Sequence, residues 1–337
     1  MSHRAVKPTL QLRRVVFTFI TAVSIALGTT ALSAQSPATT TLDVGIIGVS
    51  SSIWPAIVAK DKGFFAAHGL DVNTVAIGAS ARVLQQVVSG AVEIGSSSLV
   101  DTFRAIDGGG GVKIFQVSQA VGPYRLIGGK TIKSIPELKG KRIMTGGEKD
   151  LTNLWWETIA RHNGLDPVKD VDLLFSGASS ARLAALLSGG IDASVLSPPQ
   201  TYMAIAQGGT DLGSAAPYLG DFPTMAWHVN DKWGKANPNI VIAFAKANDE
   251  AVRYMSDPAH RTEVAQILAK ASGLTVDDAT KTWDQSIAEK AFSPDGAASP
   301  QAIQHVADIL AAAGDLKTPV KPPAAFYDDS YLRAAAL

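Results

Sequence analysis

Two stretches of this chain repeat one another 99 residues apart, and this repeat constrains the fold more than any other feature of the sequence. Gly78-Ala79-Ser80 recurs as Gly177-Ala178-Ser179, and Ser89-Gly90 recurs as Ser188-Gly189. A period of roughly 100 residues is much longer than the units of solenoid proteins and has the size of a domain. The repeat therefore predicts two similar structural units.

Both copies have the same order of predicted elements. An apolar strand is followed by a Ser- or Gly-rich loop, a Trp-bearing helix, a second strand, a helix that begins at Gly-Ala-Ser, and a third short apolar strand. The copies open with strands at residues 42–48 and 142–145, and they close near Ser98 and Ser197. Alternating strands and helices predict parallel sheets, and short apolar strands predict that helices cover both faces of each sheet.

The chain is therefore predicted to be an α/β protein with two lobes, each a mainly parallel sheet flanked by helices, joined by hinge crossovers. The first lobe is predicted to comprise residues 42–122 and 226–337, including a set of C-terminal helices, and the second lobe residues 123–225. Ligands of open parallel sheets bind beyond the carboxyl ends of the strands. The Ser- and Gly-rich loops are expected at those ends, so we expect them to line a cleft between the lobes.

Residues 1–34 have the pattern of a secretory signal peptide. Four basic residues without an acidic one precede an apolar run over residues 15–27, and small residues follow. The chain has no Cys and so cannot be a lipoprotein. We therefore expect a soluble periplasmic protein. An uncleaved anchor stays an alternative, and the Arg13-Arg14 pair leaves both the Sec and the twin-arginine routes open.

The composition excludes several functional classes. The 337 residues include 30 basic and 30 acidic residues and no Cys. The absence of Cys excludes a disulfide scaffold, Cys-ligated zinc, iron–sulfur clusters and a thiol nucleophile. A net charge of zero gives the whole chain no electrostatic attraction to nucleic acid. Without residues 1–34 the chain has 26 basic and 30 acidic residues, a formal net charge of −4.

No enzymatic or metal-binding motif is complete. Neither Gly-Ala-Ser segment has the second Gly of a nucleophile elbow, and residues 108–111 are not followed by the Gly-Lys-Ser/Thr of a P-loop. The six His never occur at i, i+4 spacing. We therefore expect no enzymatic activity, no metal and no cofactor.

Several segments resemble periplasmic substrate-binding proteins of the nitrate, sulfonate and taurine family, which also includes binders of pyrimidine precursors. Residues 59–65 and 69–72 resemble the family's opening, and residues 138–143 resemble its entry into the second lobe. Ser-Gly-x-x-Glu at 89–93 and Ser-Gly-x-x-Asp at 188–192 resemble its Ser-Gly-x-x-Asp signature, with Glu in place of Asp in the first copy. The resemblance covers about residues 42–255.

This resemblance implies a periplasmic-binding-protein-like fold of type II that closes on a small ligand. It also implies delivery of that ligand to the permease and ATPase of an ABC importer, and we expect the protein to act as a monomer. Two alternatives stay open: a sensor without transport, and a pyrimidine-precursor binder or synthase-like relative. The synthase branch is iron-dependent and rich in Cys, so the absence of Cys argues against it.

We expect the ligand to be a small organic anion. Backbone N–H groups at helix N-termini attract anions, and four such termini are predicted at the cleft. A sulfonate or a carboxylate is favoured because Trp and Phe residues lie near the predicted loops; an aromatic acid, nitrate and a neutral pyrimidine stay open. The candidate ligand-binding residues are Ser51, Ser52, Trp54, Gly78, Ser80, Arg82, Ser97, Ser98, Gly146, Gly147, Ser179, Ser197, Trp227 and His228.

Two arginines could bind the anion in bidentate fashion, because Arg82 and Arg182 each follow a Gly-Ala-Ser loop. Their registers differ by one residue, so they cannot occupy equivalent places, and only one is expected to contact the ligand. We favour Arg82, since the first lobe usually holds more of the ligand in the resembled family. Trp155 and Trp156 are adjacent on a predicted helix, so at most one of them faces the cleft.

Overall fold

The computed structural model describes residues 39–336. The predicted signal peptide, residues 1–34, lies outside the described residues. None of the helices within 39–336 is long and apolar enough to cross a membrane.

The strands of the described chain form two five-stranded sheets. Their bounds are β1 Thr40–Ile46, β2 Leu70–Ala76, β3 Ile94–Ser98, β4 Val112–Gln119, β5 Arg125–Gly128, β6 Arg142–Thr145, β7 Asp172–Phe175, β8 Ala193–Leu196, β9 Thr210–Asp211 and β10 Met225–Asn230. The first sheet has the order β2-β1-β3-β10-β4, and the second has the order β7-β6-β8-β5-β9.

Helices cover both sheets and form most of the C-terminal third. Their bounds are α1 Trp54–Asp61, α2 Phe64–Ala67, α3 Ser80–Ser89, α4 Leu99–Asp107, α5 Leu151–His162, α6 Ser179–Leu187, α7 Gln200–Ala206, α8 Ala216–Leu219, α9 Asp231–Ala236, α10 Pro238–Ser256, α11 Arg261–Ser272, α12 Val276–Ala288, α13 Pro300–Ala312, α14 Pro323–Phe326 and α15 Ser330–Ala335. Short 3-10 turns occupy Ser51–Ile53, Ile135–Leu138 and Pro258–His260.

The internal repeat corresponds to a repeated topology. In the first sheet β1 pairs in parallel with β2 and β3, and in the second sheet β6 pairs in parallel with β7 and β8. In both copies a Gly-Ala-Ser loop leads into a helix, α3 or α6, that returns the chain to the third strand. The prediction of two α/β units is confirmed.

Each sheet also contains an antiparallel strand that the repeat does not include. Strand β10 lies between β3 and β4 and is antiparallel to both, and β5 is likewise antiparallel to β8 and β9. The chain enters β5 directly after leaving the first sheet, and it enters β10 directly after leaving the second. Both sheets are therefore mixed.

Large apolar side chains fill two main cores. One lies between the first sheet and α1, α10 and α11, where Trp227 packs against Phe244 with ring centroids 5.0 Å apart. The other is continuous between the two sheets and includes Ile114 of β4, Ile143 of β6 and Val195 of β8. Burying a side chain of this size stabilises the fold by roughly 1.5–3 kcal/mol. This second core joins both sheets, so the packing of the side chains does not divide the chain into two lobes. The lobe boundaries at 122/123 and 225/226 therefore stay a prediction.

Candidate ligand-binding cleft

A cavity of about 70 Å³ lies where loops from the carboxyl ends of both sheets meet. Loops after β1, β3, β6, β7 and β8 contribute to it, in agreement with the general position of ligands in open α/β sheets. Its polar lining includes Ser50, Ser52, Ser80, Ser98, Tyr124, Asp150, Thr152, Ser179, Ser180, Arg182, Ser197 and Gln200. The structure thus brings five of the fourteen candidate residues to one cavity: Ser52, Ser80, Ser98, Ser179 and Ser197.

Four of these serines form two equivalent hydrogen bonds, one in each copy of the repeat. The Ser98 backbone N–H donates to Ser80 Oγ at 3.1 Å, and the Ser197 backbone N–H donates to Ser179 Oγ at 3.1 Å. Each bond ties the start of a helix to the end of the neighbouring strand. The hydroxyls thereby fix the first turns of α3 and α6 at the edge of the cavity.

These two helix N-termini have no side-chain cap. The N-cap residues are Ala79 and Ala178, and neither makes a capping hydrogen bond. The first turn of an uncapped helix has N–H groups without intrahelical partners and a partial positive charge. Both first turns line the cavity through Ser80, Ser179 and Ser180, so their N–H groups can bind an anion there.

A further anion-binding helix N-terminus was expected at Gly146 and Gly147. This expectation is wrong, because the Asp150 side chain caps α5. Asp150 Oδ1 accepts hydrogen bonds from the Thr152 backbone N–H at 2.8 Å and from Thr152 Oγ1 at 2.5 Å. The Gly146 N–H donates to Thr152 Oγ1 at 2.7 Å. Neither glycine is in the cavity lining. A carboxylate therefore occupies the place where an anion was expected.

Among residues 39–336, Arg182 is the only arginine in the lining. Its side chain is buried, with 2% of the residue exposed. Its Nε donates to the Val195 carbonyl at 3.1 Å, and its Nη1 donates to the carbonyls of Ser176 at 2.8 Å and Gly177 at 2.7 Å. Burial lowers the pKa of the guanidinium, and the Asp150 carboxylate raises it.

Our preference for Arg82 is not supported by its position. Arg82 follows the Gly-Ala-Ser loop one residue earlier in its helix than Arg182 does, and the one-residue difference turns its side chain outward. It is exposed and absent from the cavity lining. The registers of the two arginines differ as expected, and Arg182 is the one that lies in the cavity lining.

A second carboxylate, Asp101, lies behind the lining. Its Oδ2 accepts a hydrogen bond from Ser98 Oγ at 2.8 Å, and its backbone N–H donates to Ser98 Oγ at 3.2 Å. Burial and the Asp150 carboxylate raise the pKa of Asp101 to about 6, and the Arg104 guanidinium, 3.5 Å away, lowers it. Asp101 lies in α4 after β3, and Asp150 lies in the loop after β6, so the two carboxylates follow strands of different sheets.

Four further candidates lie in the protein core instead of the cavity. Trp54 and Trp227 are 0% and 1% exposed and belong to the apolar core of the first sheet. His228 is fully buried, which lowers its pKa to about 3, and its Nδ1 lies 3.3 Å from Ser97 Oγ. Ser97 also contacts Thr102 Oγ1 at 3.0 Å. Both side chains lie on strand β10, are almost completely buried, and are absent from the cavity lining.

Trp155 and Trp156 are both structural. Trp155 packs on Tyr124 with ring centroids 5.6 Å apart, and Trp156 donates from Nε1 to the Pro167 carbonyl at 2.9 Å. Both are almost completely buried, which agrees with the expectation that at most one faces the cleft.

Ser51 and Gly78 hold the two sets of loops together. The Ser51 backbone N–H donates to the Pro198 carbonyl at 3.2 Å, and the Gly78 carbonyl oxygen lies 2.8 Å from where a Cβ on Gly177 would be. Arg104 of α4 also hydrogen-bonds the Lys149 carbonyl, in the loop that follows β6. The two sets of loops are therefore in direct contact.

Tyr124, Asp150 and Gln200 all line the cavity, but they were not among the candidate residues selected from the sequence. Gln200 is 8% exposed, and its Oε1 accepts no hydrogen bond from the described residues. A signal for Gln200 was present, since it comes just after Ser197 at the carboxyl end of β8. Within residues 39–336, no group of three or more His, Asp or Glu side chains is placed to hold a metal ion.

Comparison with known proteins gives a family match over most of this region. The model of the family described as NMT1/THI5 like matches residues 50–260. The bicarbonate transport ATP-binding protein CmpC of Synechocystis sp. is 24% identical over 264 residues, which are 72% of this chain but 39% of that protein. The chain thus spans well under half the length of this relative.

A yeast enzyme is also similar in sequence. The 4-amino-5-hydroxymethyl-2-methylpyrimidine phosphate synthase THI13 of Saccharomyces cerevisiae is 25% identical over 223 residues, 60% of this chain and 64% of the enzyme.

A solved structure shows the same fold. The alkanesulfonate-binding protein SsuA from Xanthomonas axonopodis pv. citri, bound to MOPS, aligns with a TM-score of 0.69 at 18% identity. The alignment covers 86% of this chain and 99% of that one. It confirms the prediction of a two-lobed periplasmic-binding-protein-like fold.

Proposed function

The chain belongs to the NMT1/THI5-like family, and we propose that it is an extracytoplasmic solute-binding protein of an ABC importer. It captures a small solute with an anionic group in the cavity between its lobes and delivers it to the permease and ATPase. The protein acts as a soluble monomer in the periplasm, after removal of a signal peptide within residues 1–34. Its lobes comprise residues 42–122 with 226–337, and residues 123–225.

One observation carries this proposal: two uncapped helix N-termini, one from each copy of the repeat, line the same cavity. Each supplies backbone N–H donors and a partial positive charge without a mobile side chain. The buried Arg182 guanidinium adds a full positive charge beside them. An anionic group is the ligand that this arrangement stabilises.

The size of the cavity restricts the solute. A volume of about 70 Å³ is well below the roughly 300–1,000 Å³ of sites for drug-sized molecules. The tryptophans that would have stacked on an aromatic ring are in the core. Short sulfonates and carboxylates are therefore favoured over aromatic acids, and nitrate or bicarbonate would also fit.

A thermal-shift screen followed by calorimetry tests the proposal. The processed protein is incubated with nitrate, bicarbonate and a series of short sulfonates and carboxylates at neutral pH. A true ligand at 100 times its Kd adds about 2.7 kcal/mol to the free energy of unfolding. Uptake by cells that carry the gene and its deletion then separates transport from sensing. A screen in which no small anion stabilises the protein contradicts the proposal.

A second candidate function rests on the similarity to the yeast pyrimidine phosphate synthase. Under this alternative the cavity holds a pyrimidine precursor. The same screen includes an aminopyrimidine, and product formation is followed by mass spectrometry. Stabilisation by the pyrimidine together with failure of every small anion favours this alternative.

A further inference from the structure

The serine pair of the first copy is hydrogen-bonded to a buried carboxylate, Asp101. Ser98 Oγ donates to Asp101 Oδ2 at 2.8 Å and accepts from the Asp101 backbone N–H at 3.2 Å. Ser80 Oγ in turn donates to Ser98 Oγ at 3.3 Å. Ser80 and Ser98 line the cavity, and Asp101 lies behind them. A chain of hydrogen bonds therefore leads from the cavity to the carboxylate.

The charge of Asp101 determines where the two hydroxyl hydrogens point. A carboxylate only accepts hydrogen bonds, and a serine hydroxyl has a single hydrogen. When Asp101 is ionised, the Ser98 hydrogen points at Asp101 and the Ser80 hydrogen points at Ser98, so neither is available to an anion in the cavity. A protonated Asp101 donates to Ser98 Oγ instead, and the Ser98 hydroxyl is then free to donate into the cavity.

The second copy of the repeat has an amide where the first has this carboxylate. Gln200 follows Asp101 by 99 residues, the same offset that separates Ser197 from Ser98. In the second copy the Ser197 backbone N–H donates to Ser179 Oγ, and neither hydroxyl donates to another residue within 39–336. The second pair therefore has free hydroxyl hydrogens at any pH, and the first pair has one only when Asp101 is neutral.

Charged and titratable groups surround Asp101 on several elements. Burial and the Asp150 carboxylate raise its pKa to about 6, against the effect of the Arg104 guanidinium 3.5 Å away. The other such groups near Asp101 and the cavity are Tyr124, Lys149, Arg182, His228 and Asp315. Burial raises the pKa of the tyrosine and lowers that of the histidine to about 3, so neither changes charge between pH 5 and pH 8. Asp101 does change charge in that range.

We propose that Asp101 is a positioning residue of the cavity, and that binding of an anion is accompanied by the uptake of one proton at its carboxyl group. The proton comes from the solvent, and the neutral carboxyl lets the Ser98 hydroxyl donate to the anion. Protonation also removes a buried negative charge that repels the anion. The inference rests on the proposed function and adds to it that the protein binds its solute more tightly at acidic pH.

Calorimetry of the processed protein with methanesulfonate and with nitrate tests this inference, because both probes stay ionised between pH 5 and pH 8. The affinity should fall at least about tenfold from pH 5 to pH 8, since above its pKa Asp101 must be protonated at the expense of binding. At pH 7, titrations in two buffers with different ionisation enthalpies should show uptake of about one proton per anion. A purely structural role of Asp101 would not produce this proton uptake.

Three variants assign the proton to a residue. Asp101→Asn should bind with equal affinity at pH 5 and pH 8 and take up no proton. Ser98→Ala removes the hydroxyl between Asp101 and the cavity, so the pH dependence of its affinity should be smaller. The control is Asp249→Asn on α10, because burial raises the pKa of Asp249 to about 6 as well, but the residue is absent from the cavity lining. It should keep the full pH dependence of affinity.

The inference fails if the wild type binds the probes equally well at pH 5 and pH 8, or if Asp101→Asn keeps the pH dependence. It also fails if Ser98→Ala keeps that dependence in full, if Asp249→Asn abolishes it, or if neither probe binds at either pH. The proposed function is judged separately. Binding of a probe with an affinity that does not change with pH supports the proposed function and contradicts the proton uptake, and the wider anion screen decides when neither probe binds.

Discussion

Arg182 combines a structural and a binding contact in one side chain. Its Nε and Nη1 hold three carbonyl groups in place, and the residue also lines the cavity. We predict that Arg182→Ala destabilises the ligand-free protein by about 2–4 kcal/mol, because buried carbonyls lose charged donors. It should also weaken ligand binding at least tenfold, on the same principle.

Arg82→Ala is the matched control for this prediction. Arg82 is exposed on the equivalent helix, so its truncation should change stability by no more than about 0.5 kcal/mol and leave affinity unaltered. Urea unfolding and calorimetry of both variants give the result. Loss of binding in Arg82→Ala with normal binding in Arg182→Ala would restore the assignment expected from the sequence.

Asp101 is expected to lower the free energy of unfolding as the pH rises. Its pKa is raised from 3.8 to about 6 by burial and by Asp150, so the folded state favours the protonated carboxyl. Its contribution to stability is therefore complete below about pH 4 and is lost as the pH rises through about 6. Asp101→Asn keeps an acceptor for Ser98 Oγ and abolishes this loss.

The test is urea unfolding of ligand-free wild type and Asp101→Asn between pH 4 and pH 8. Above pH 6 the variant should gain on the order of 2 kcal/mol relative to wild type, compared with the difference at pH 4. Subtracting the two curves cancels the other titrating groups. A difference that stays constant with pH would show that Asp101 is not perturbed in the folded protein.

The environment of single residues is where prediction from sequence is weakest. Trp227 and His228 alternate along one strand, which a sequence reader takes as one inward and one outward position. They lie on a strand interior to its sheet, with helices on both faces, and both are buried. Asp101 occupies an ordinary position in an amphipathic helix. Its burial depends on loops far away in sequence, which no local pattern reveals.

At the scale of elements, the paired serines fix the helix starts that form the cavity. Ser179→Ala deprives the buried Ser197 N–H of its acceptor and should cost about 1–3 kcal/mol of unfolding free energy. Ser80→Ala should cost a similar amount, since Ser80 has the same bond to Ser98. Chemical denaturation of each variant measures the effect.

Ser188→Ala is the control for the serine pair. Its hydroxyl is exposed near the end of the same helix, and it hydrogen-bonds only the Ala185 carbonyl. We expect a change within about 0.5 kcal/mol. Equal effects of Ser179→Ala and Ser188→Ala would mean that the repeated hydrogen bond has no special role.

The elements within the repeat could be predicted because the same order of strands, loops and helices occurs in both copies. Strand β6 spans the predicted residues 142–145, and helices α3 and α6 begin at the serines of their Gly-Ala-Ser loops. The antiparallel strands β5 and β10 could not be assigned, since an apolar run does not reveal its direction. In the structure, the chain that crosses from one sheet to the other becomes a strand of the sheet that it joins.

At the scale of the whole molecule, closure depends on a contact between the two Gly-Ala-Ser loops. A Cβ on Gly177 would lie 2.8 Å from the Gly78 carbonyl oxygen, closer than real Cβ atoms approach, and at a tight 3.2 Å from the Ala79 Cβ. The backbone of Gly177 has no left-handed conformation that would itself exclude alanine. Gly177→Ala should therefore keep the folded lobes and prevent their full closure.

Gly147→Ala is the matched control. It lies in another loop of the second lobe, and a Cβ there meets only the Asp150 Cβ at an ordinary 3.6 Å. We expect it to bind ligand as the wild type does. Gly177→Ala should bind at least about tenfold more weakly, because closure and binding are coupled.

Small-angle scattering tests most directly the claim that the lobes close on a ligand in this cavity. Wild type, Gly147→Ala and Gly177→Ala are measured without ligand and with a saturating anion whose binding calorimetry has established. The account predicts a decrease in the radius of gyration of wild type and Gly147→Ala on binding, and a smaller decrease or none for Gly177→Ala. Equal radii with and without bound ligand in the wild type would contradict it.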